Sequence, residues 1–408
     1  QWALEPDPRV EEIGAGVIRI VDAVRIMPKV GWVLAVKGMM TPNRTSPAIR
    51  IARSKNLLVE DVTIHHAGGM GIIVQRTNGA TLRNAHVTLP ADSGRLVTTT
   101  ADATHFNGCR GEILLENCTF ENMLDDATNI HGCFVRIEEL IGHKPLVCRR
   151  IHSEQRGLIV MEAGDEVRFV TSDDLQPYAD SSVVSTRELN SDLFEVTLSS
   201  IPDTGIRERS ALYNTTWQPN LTIRNCVVRN NRARTMLIAT AGEVVVEDCL
   251  FEHSSMAGIQ FEGDNGFWWE SGPTRNVLIR RNRFRNNAGA ALRIAPQIDA
   301  QRHPRALYHG GIVFEDNVIE TFHRLVAEGV AINGLTFRSN AISMTDFSNA
   351  NDVSSPSFRI ASGKDILFEN NEFSGNLPLR VQVGQQSPRP TMSGNQGIIL
   401  EGQDVHAN

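Results

Sequence analysis

The sequence predicts an all-β protein, a right-handed parallel β-helix solenoid with an inserted small antiparallel β subdomain. Three observations lead to this fold: a short β-branched unit recurs, the recurrence has a regular period, and one interval between units is long enough to hold extra strands. Short units of this kind, with Asn, Cys or Gly at the bends, are typical of β-helix coils. The unit has the pattern apolar-x-polar-x-apolar and occurs as LVEDVTI (58–64), TLRNAHV (81–87), LLENCTF (114–120), TIRNCVV (222–228), VVEDCLF (245–251), LIRRNRF (278–284), VFEDNVI (313–319), TFRSNAI (336–342) and LFENNEF (367–373).

The middle residue of each unit belongs to a column that runs from coil to coil. The same step along the chain leads from Val62 to Ala85, from Cys226 to Cys249 and from Asn317 to Asn340. Side chains at equivalent positions stack at the inter-strand spacing of roughly 4.8 Å, where small thiols pack and asparagine amides hydrogen-bond to one another. A leucine-rich repeat would need the frame L-x-x-L-x-L-x-x-N, which is not met. We therefore predict a buried ladder whose cysteines are free structural thiols, with members Val62, Ala85, Cys118, Cys226, Cys249, Asn282, Asn317, Asn340 and Asn371.

The longest interval in this column indicates an insertion. The interval from Cys118 to Cys226 is several times the usual step, and the segments GLIVMEAGDEVRFVTS and DLFEVTLSSIPD within it read as alternating strands with Gly-Asp turns. The predicted organisation is N-terminal coils with an acidic segment over 1–132, an inserted β subdomain over 133–219, and C-terminal coils with a cap over 220–408. We expect the insertion to overhang the acidic segment.

Composition narrows the class of partner. The chain has 408 residues and a formal charge of −7, and it has no run rich in Lys and Arg, which argues against a nucleic-acid partner. It has no apolar stretch long enough to span a membrane, and no C-x-x-C pair of the kind that binds zinc. We predict no membrane insertion and no cofactor. The chain opens at Gln1 without an initiator Met, so we expect a processed end and a secreted or periplasmic location.

An acidic turn is repeated at the coil spacing. The segments ADATHFNG (101–108) and DDATNIHG (125–132) share the pattern D-A-T-x-apolar-x-G, and Asp102 and Asp126 open it one coil length apart. These two side chains should therefore stack on adjacent coils, provided that Asp126 lies in the bend before its strand, and Asp125 adds a third carboxylate. Like charges this close are costly unless a proton, a cation or water relieves them. This arrangement favours acid–base catalysis without a metal, and the alternatives are a Ca²⁺ site or turn capping.

Polar residues surround the predicted carboxylate cluster. The column continues to Arg234, which could neutralise the carboxylates. On the following strand, alternation turns Asn129 and His131 outward, beside His105 on one coil and Glu262 on another. Such a polar floor is typical of a saccharide groove, although the histidines could equally be ordinary surface residues.

A loop near this floor carries aromatic residues. The segment FEGDNGFWWESGP (261–273) interrupts a coil with Trp268, Trp269 and Glu270. Exposed aromatic rings beside a carboxylate are typical of sugar subsites, where a ring stacks on the sugar and the carboxylate accepts hydroxyl hydrogen bonds. The alternative is a hydrophobic plug that covers the edge of the coil.

With these residues laid out, the chain resembles glycoside hydrolase family 110, the inverting exo-α-1,3-galactosidases built on parallel β-helices. The resemblance is most specific over 98–132, at ADATHF and FENMLDDATNIHG, and extends more loosely from about residue 30 to residue 375. It implies that Asp125 is the general acid and that Asp102 and Asp126 hold the attacking water. It also implies a carbohydrate partner with a terminal α-galactoside, and it leaves the oligomeric state open, with a homodimer as one option.

Three alternatives fit the same fold. Polygalacturonase-type hydrolases also place an Asp and an Asp-Asp pair about one coil apart, but they need a later G-H-G and R-I-K to hold an anionic sugar, and neither string occurs. A non-catalytic adhesin or tail-spike-like module would give the repeated carboxylates no hydrolytic role. A polysaccharide lyase would depend on Ca²⁺. The missing strings favour a neutral sugar.

Overall fold

The computed structural model describes residues 9–21, 29–31, 33, 44–345 and 355–401. Residues 1–42 and 43–408 form separate compact units. In the first unit, strands Arg9–Gly14 and Val17–Val21 pair antiparallel as a hairpin. Within the described ranges, no helix is long and apolar enough to cross a membrane.

Three parallel sheets make up the solenoid of the second unit, and a typical coil contributes one strand to each sheet in turn. We call them the long-strand sheet, the short-strand sheet and the site sheet. The long-strand sheet is ten-stranded in chain order: Lys55–Glu60, Asn78–Arg83, Arg110–Glu116, Asn220–Arg224, Glu243–Glu247, Asn276–Arg280, His309–Glu315, Ile332–Arg338, Gly363–Glu369 and Thr391–Ser393. The short-strand sheet is nine-stranded: Thr63–Ile64, His86–Val87, Thr119–Glu121, Val227–Arg229, Leu250–Glu252, Arg283–Arg285, Val318–Thr321, Ala341–Met344 and Glu372–Ser374.

The site sheet carries the acidic segment. Its strands also pair parallel in chain order, which confirms the predicted parallel β-helix. They are Ile49–Ala52, Ile72–Gln75, Thr104–Asn107, Thr128–Leu140, Met236–Ile238, Ile259–Phe261, Leu292–Ile294, Ala327–Gly329, Phe358–Ile360, Leu379–Val383 and Ile398–Leu400.

The predicted ladder lies at the bend between the long-strand and short-strand sheets. Asn317 shows its pattern: its Oδ1 accepts from the backbone N–H of Asn282 at 2.9 Å, and its Nδ2 donates to Oδ1 of Asn340 at 3.1 Å. The same bonds continue through Asn371 to Asn395, one coil further than predicted. All six cysteines are free and buried, as the ladder requires of its three thiols. The prediction of an internal ladder is confirmed.

The residue before each ladder position explains the sequence of the bend. Its φ is positive, near 55°, in the left-handed region where Asn and Asp are the favoured non-glycine residues. This conformation turns the chain from one sheet to the next, so the recurring N-C, D-C and N-N pairs each encode a corner followed by a ladder residue. The corner residues include Asp61, Asn84, Asn117, Asn225, Asp248, Arg281, Asp316, Ser339 and Asn370.

The long interval between coils is occupied by antiparallel strands. Thr128–Leu140 begins in the site sheet and runs out of the coil, and the chain returns to the solenoid at Asn220–Arg224. The segment has its own hydrophobic core, which is separate from the solenoid core. Between strands Thr128–Leu140 and Asn220–Arg224, the chain forms strands Pro145–Arg149, Glu166–Thr171, Pro177–Glu188, Leu193–Leu198 and Ser210–Asn214, with a 3₁₀ turn at Ser153–Gln155.

Candidate active site

The coil register brings the predicted carboxylates together. The backbone N–H of Ala103 donates to the carbonyl of Asp126 at 3.1 Å, and that of Ala127 donates to the carbonyl of Arg234 at 3.2 Å. Asp102, Asp126 and Arg234 therefore occupy one column on successive coils, and Asp126 lies in the bend before its strand, as assumed from the sequence. One oxygen from each of the three aspartates lies within 4.8 Å of the other two.

Three guanidinium groups lie at this cluster: Arg44 and Arg234 bind aspartates directly, and Arg232 Nη1 lies 4.0 Å from Asp125 Oδ1. Arg234 contacts Asp126 twice, through its backbone N–H to Oδ1 at 2.8 Å and through Nη2 to Oδ2 at 2.8 Å. Arg44 donates from Nη2 to Asp125 Oδ2 at 2.6 Å, and its Nη1 lies 3.3 Å from Glu154 of the insertion. The sequence analysis missed Arg44 because it precedes the first recurring unit and has no counterpart on other coils. Arg44 and Arg234 compensate much of the charge that the aspartates carry.

Burial and charge set the protonation of the cluster. Burial raises the pKa of Asp126 well above its usual range, Arg234 opposes this, and the charges of Asp102 and Asp125 push it further upward. The cluster can therefore hold a proton that exposed carboxyl groups would release. The three aspartates are also close enough together to ligate a cation, but Arg44 and Arg234 already provide positive charge at that place.

The predicted polar floor lies beside the cluster, but it is covered. Asn129, His131 and His105 leave the solenoid interior as predicted, yet all are buried. The cover is strand Glu270–Ser271, which pairs antiparallel with Gly132 and Cys133. Asn129 Nδ2 donates to Glu270 Oε1 at 3.3 Å, and His131 Nε2 lies 3.4 Å from the same oxygen. The expected open floor is therefore closed at Asn129, His131 and His105, because alternation set their direction but not what packs above them, and their contact with sugar stays a prediction.

Glu262 lies on the same face of the solenoid as Asn129, two coils further along the chain. Gln260 donates from Nε2 to its Oε2 at 2.8 Å, and Arg293 Nη1 donates to Gln260 Oε1 at 3.2 Å. Burial raises the pKa of Glu262 to about 7, with Arg234 opposing and Glu270 adding to the rise. This carboxyl can exchange a proton near neutral pH, which the sequence did not indicate.

The aromatic loop differs from the prediction. Trp269 was expected to be an exposed sugar platform, but it is only 5% exposed and packs in a core with Phe134, Tyr213 and Tyr308. That expectation is wrong because Glu270–Ser271 forms a strand, which draws the preceding residue inward: the N–H of Phe134 donates to the carbonyl of Trp269 at 2.9 Å. For Trp269, the hydrophobic plug is the correct alternative.

The other aromatic side chains of the loop remain accessible. Trp268 is partly exposed, and its ring centroid lies 5.2 Å from the guanidinium carbon of Arg44 and 4.6 Å from the ring of His152. Phe267, which the sequence analysis passed over, is 54% exposed and packs edge-to-face on Trp268. Because Arg44 touches both Trp268 and Asp125, these rings lie at the rim of the carboxylate cluster.

Fold and site together define a parallel β-helix protein with a buried acidic centre under a β insertion. The family model described as GLAA-B beta-barrel domain II matches residues 145–209, and the model described as right handed beta helix region matches residues 190–317. The second match agrees with the right-handed coil that the sequence predicts.

Curated relatives name the family. An alpha-1,3-galactosidase B of Phocaeicola vulgatus is 35% identical over 346 residues, which cover 78% of this chain and 57% of the relative. An alpha-1,3-galactosidase A of Shewanella woodyi is 32% identical over 375 residues, covering 91% of this chain and 61% of the relative. The chain thus spans about three-fifths of the length of these relatives. It is a homologue of the α-1,3-galactosidases, and its resemblance to glycoside hydrolase family 110 is confirmed.

Among solved structures, the surface adhesin PfbA of Streptococcus pneumoniae is similar with a TM-score of 0.46 and 10% identity, covering 90% of this chain and 80% of the adhesin. A likeness of this degree carries no functional argument.

Proposed function

We propose that this protein is an inverting glycoside hydrolase that releases terminal α-1,3-linked galactose. The observation that carries the proposal is the cluster of Asp102, Asp125 and Asp126, with oxygens within 4.8 Å of one another, in a homologue of α-1,3-galactosidases. Three neighbouring carboxylates supply an acid, a base and a place for water, which are the groups that glycoside hydrolysis needs. Their oxygens lie nearer to the spacing of about 5–5.5 Å in retaining enzymes than to the spacing of about 6.5–9.5 Å in inverting ones, so inversion rests on the resemblance to family 110 and not on the spacing.

The attacking water fits between Asp102 and Asp126. A water that donates to two carboxylates at about 2.7 Å each spans about 4.4 Å between their oxygens at its own bond angle. The oxygens of the two aspartates lie within 4.8 Å of each other. A water held between the two is oriented, and it can lose a proton to Asp102 as it attacks the anomeric carbon, because the raised pKa of Asp126 favours the protonated form of that carboxyl.

Asp125 suits the acid role because of its exposure and its partner. It is 9% exposed, against 3% for Asp102 and 2% for Asp126, so it is the most accessible of the three aspartates. The proton that Asp125 passes to the glycosidic oxygen is the one that the cluster retains at neighbouring Asp126, and Arg44 at 2.6 Å stabilises the Asp125 carboxylate once the proton has left. The products are galactose and the free aglycone hydroxyl.

The site fits a neutral sugar better than it fits a uronate. Arg44 and Arg234, the two arginines closest to the cluster, are both bound to aspartates, so neither is free to hold a sugar carboxylate. Arg232, whose Nη1 lies 4.0 Å from Asp125, donates from the same atom to the carbonyl of Leu124. Phe267 and Trp268 at the rim offer apolar ring faces, which suit the unit that precedes the terminal galactose.

A substrate panel tests the proposal. We expect galactose release from α-1,3-galactobiose and from a B-type trisaccharide, little from α-1,4-galactobiose, and no sugar from polygalacturonate. The Asp102→Asn protein, assayed in parallel, controls for a contaminating enzyme. Release of galacturonate, or no hydrolysis of any galactoside by folded protein, would contradict the proposal.

A further inference from the structure

A buried chain of hydrogen bonds leads from Asp102 away from the carboxylate cluster. Asp102 Oδ2 lies 2.8 Å from His105 Nδ1, and His105 Nε2 lies 3.0 Å from His131 Nε2. His131 Nδ1 lies 2.6 Å from the carbonyl oxygen of Gly132. Glu270 Oε1 lies 3.4 Å from His131 Nε2. We call His105 and His131 the buried histidine pair.

Counting protons in this hydrogen-bond chain shows that it needs one more than two neutral imidazoles supply. The carbonyl of Gly132 only accepts, so Nδ1 of His131 carries a proton. The two contacts of His105, to Asp102 and to His131, each need a further proton. Two neutral imidazoles supply one proton each, so the third bond is made by an imidazolium beside an ionised Asp102, or by a protonated Asp102.

The surroundings favour the imidazolium. The titratable groups that face the pair are Asp102, Glu270, Arg44 and the Cys133 thiol. Burial lowers the pKa of His105, but the hydrogen bond and charge of Asp102 outweigh it, so the net pKa is raised. Burial also opposes the charged form of His131, and Glu270 raises its pKa above the usual value. Asp102 and Glu270 lie on either side of the pair, and their negative charges stabilise the extra proton on the imidazoles.

We propose that His105, His131 and Glu270 are positioning residues that hold one positive charge behind Asp102 and thereby keep Asp102 ionised and oriented as a base. This rests on the proposed function, because it assigns the base role to Asp102. It replaces the expectation that these three residues bind sugar: each is at least nine-tenths buried, and their polar contacts are to one another, to Asp102, and to Asn107, Asn129 and the carbonyl of Gly132. Loss of the charge would remove the cation that orients the Asp102 carboxylate and stabilises its negative charge.

The test removes the negative charge of Glu270, which lies at the end of the hydrogen-bond chain farthest from Asp102. Glu270→Gln keeps the shape of the side chain and an acceptor for Asn129, but it lacks the negative charge that supports the imidazolium. We expect the pKa of the histidine pair, followed by NMR of ¹⁵N-histidine protein, to fall by one unit or more. The alkaline limb of kcat should move down in pH by the same amount, with KM within about twofold of wild type.

A matched control distinguishes the specific effect of the Glu270 charge on the histidine pair from the general effect of removing a nearby carboxylate. Glu262→Gln removes a carboxylate of the same face that contacts Gln260 instead of the histidines, so the titration of the pair should stay in place. A rise in KM of tenfold or more in Glu270→Gln, with an unmoved pH profile, would mean that Glu270 binds sugar and would overturn the proposal.

A measurement on the unmutated protein keeps the test independent of folding and of activity. At neutral pH, three of the four ring nitrogens of the pair should be protonated, with the signals assigned from His105→Gln and His131→Gln spectra. Two protonated nitrogens would place the proton on Asp102 and overturn the proposal. If three protonated ring nitrogens are found in a protein that hydrolyses no galactoside, the proposed function fails, while the assignment of the positive charge to the histidine pair stands.

Discussion

Nη2 of Arg234 lies 2.8 Å from Asp126 Oδ2, although 108 residues separate the two along the chain. The insertion takes up that interval, and the solenoid resumes in register on its far side, with Thr128 opposite Met236. Arg234 therefore fills the column position directly after Asp126. A residue that is remote in sequence becomes the counter-charge of Asp126 because each coil must pair with the one before it.

Replacing any one of the three aspartates by asparagine should abolish most of the activity. We expect Asp102→Asn, Asp125→Asn and Asp126→Asn each to lower kcat about 10²–10⁴-fold, because a positioned acid or base contributes that much. An exposed control, Asp248→Asn on the outer surface, should keep full activity. Prolonged EDTA treatment should leave the rate unchanged. Loss of activity that Ca²⁺ restores would contradict a metal-free cluster and favour lyase-like chemistry.

Leaving-group dependence should separate the acid from the pair that holds water. An aryl α-galactoside has a leaving group that needs little protonation, so Asp125→Asn should recover much of its rate on it, whereas Asp102→Asn and Asp126→Asn should not. Steady-state rates on an aryl galactoside and on α-1,3-galactobiose give the comparison. Recovery by Asp126→Asn instead would exchange the roles of Asp125 and Asp126.

The first product should be β-galactose. A water held between Asp102 and Asp126 attacks the face opposite the leaving group, which inverts the α-linkage. Proton NMR of the anomeric signals in the first minutes of reaction, before mutarotation, measures the outcome. Initial α-galactose would indicate a covalent intermediate, for which the close spacing of the carboxylates would also allow one of them to act as nucleophile.

The asparagine ladder should contribute measurably to stability. Asn317→Ala leaves the buried N–H of Asn282 without its acceptor at 2.9 Å and removes the link to Asn340. We expect the free energy of unfolding to fall by about 2–4 kcal/mol, since an unsatisfied buried donor costs about 1–3 kcal/mol in addition to the lost bonds. Asn276→Ala, at an exposed strand end, should change it by less than about 0.5 kcal/mol. Equal effects of the two changes in urea unfolding would contradict a buried ladder.

Glu262 should make the protein less stable as pH rises through neutrality. Its folded pKa is raised to about 7, so the folded protein binds more protons than the unfolded chain above about pH 4.3, and stability falls as pH rises from there to about 7. Glu262→Gln removes this fall, so its melting temperature should exceed that of wild type at pH 8 by more than it does at pH 4. The exposed control Glu243→Gln should follow wild type at both values. Parallel curves for Glu262→Gln and wild type would contradict the raised pKa.

The sequence indicated the features that repeat. The corner residue and the ladder residue recur in every coil, so a single pattern predicted the bend, the buried cysteines and asparagines, and the stacking of Asp102 on Asp126. These are local or register-dependent properties, and register follows from the period once the strands are parallel.

What the sequence could not determine is what lies above the repeated face. Alternation predicted that His131 leaves the interior, but only the fold shows Glu270 packed over it, because that contact joins a loop to a strand several coils earlier in the chain. The burial of Trp269 and the approach of Arg44 to Asp125 have the same origin. The sequence alone determined the solenoid, its ladder and the acidic column, since backbone pairing imposes them coil by coil. The tertiary structure decided which groups of the site are covered, paired or left at the rim, because those depend on non-repeating segments that meet only in the folded chain.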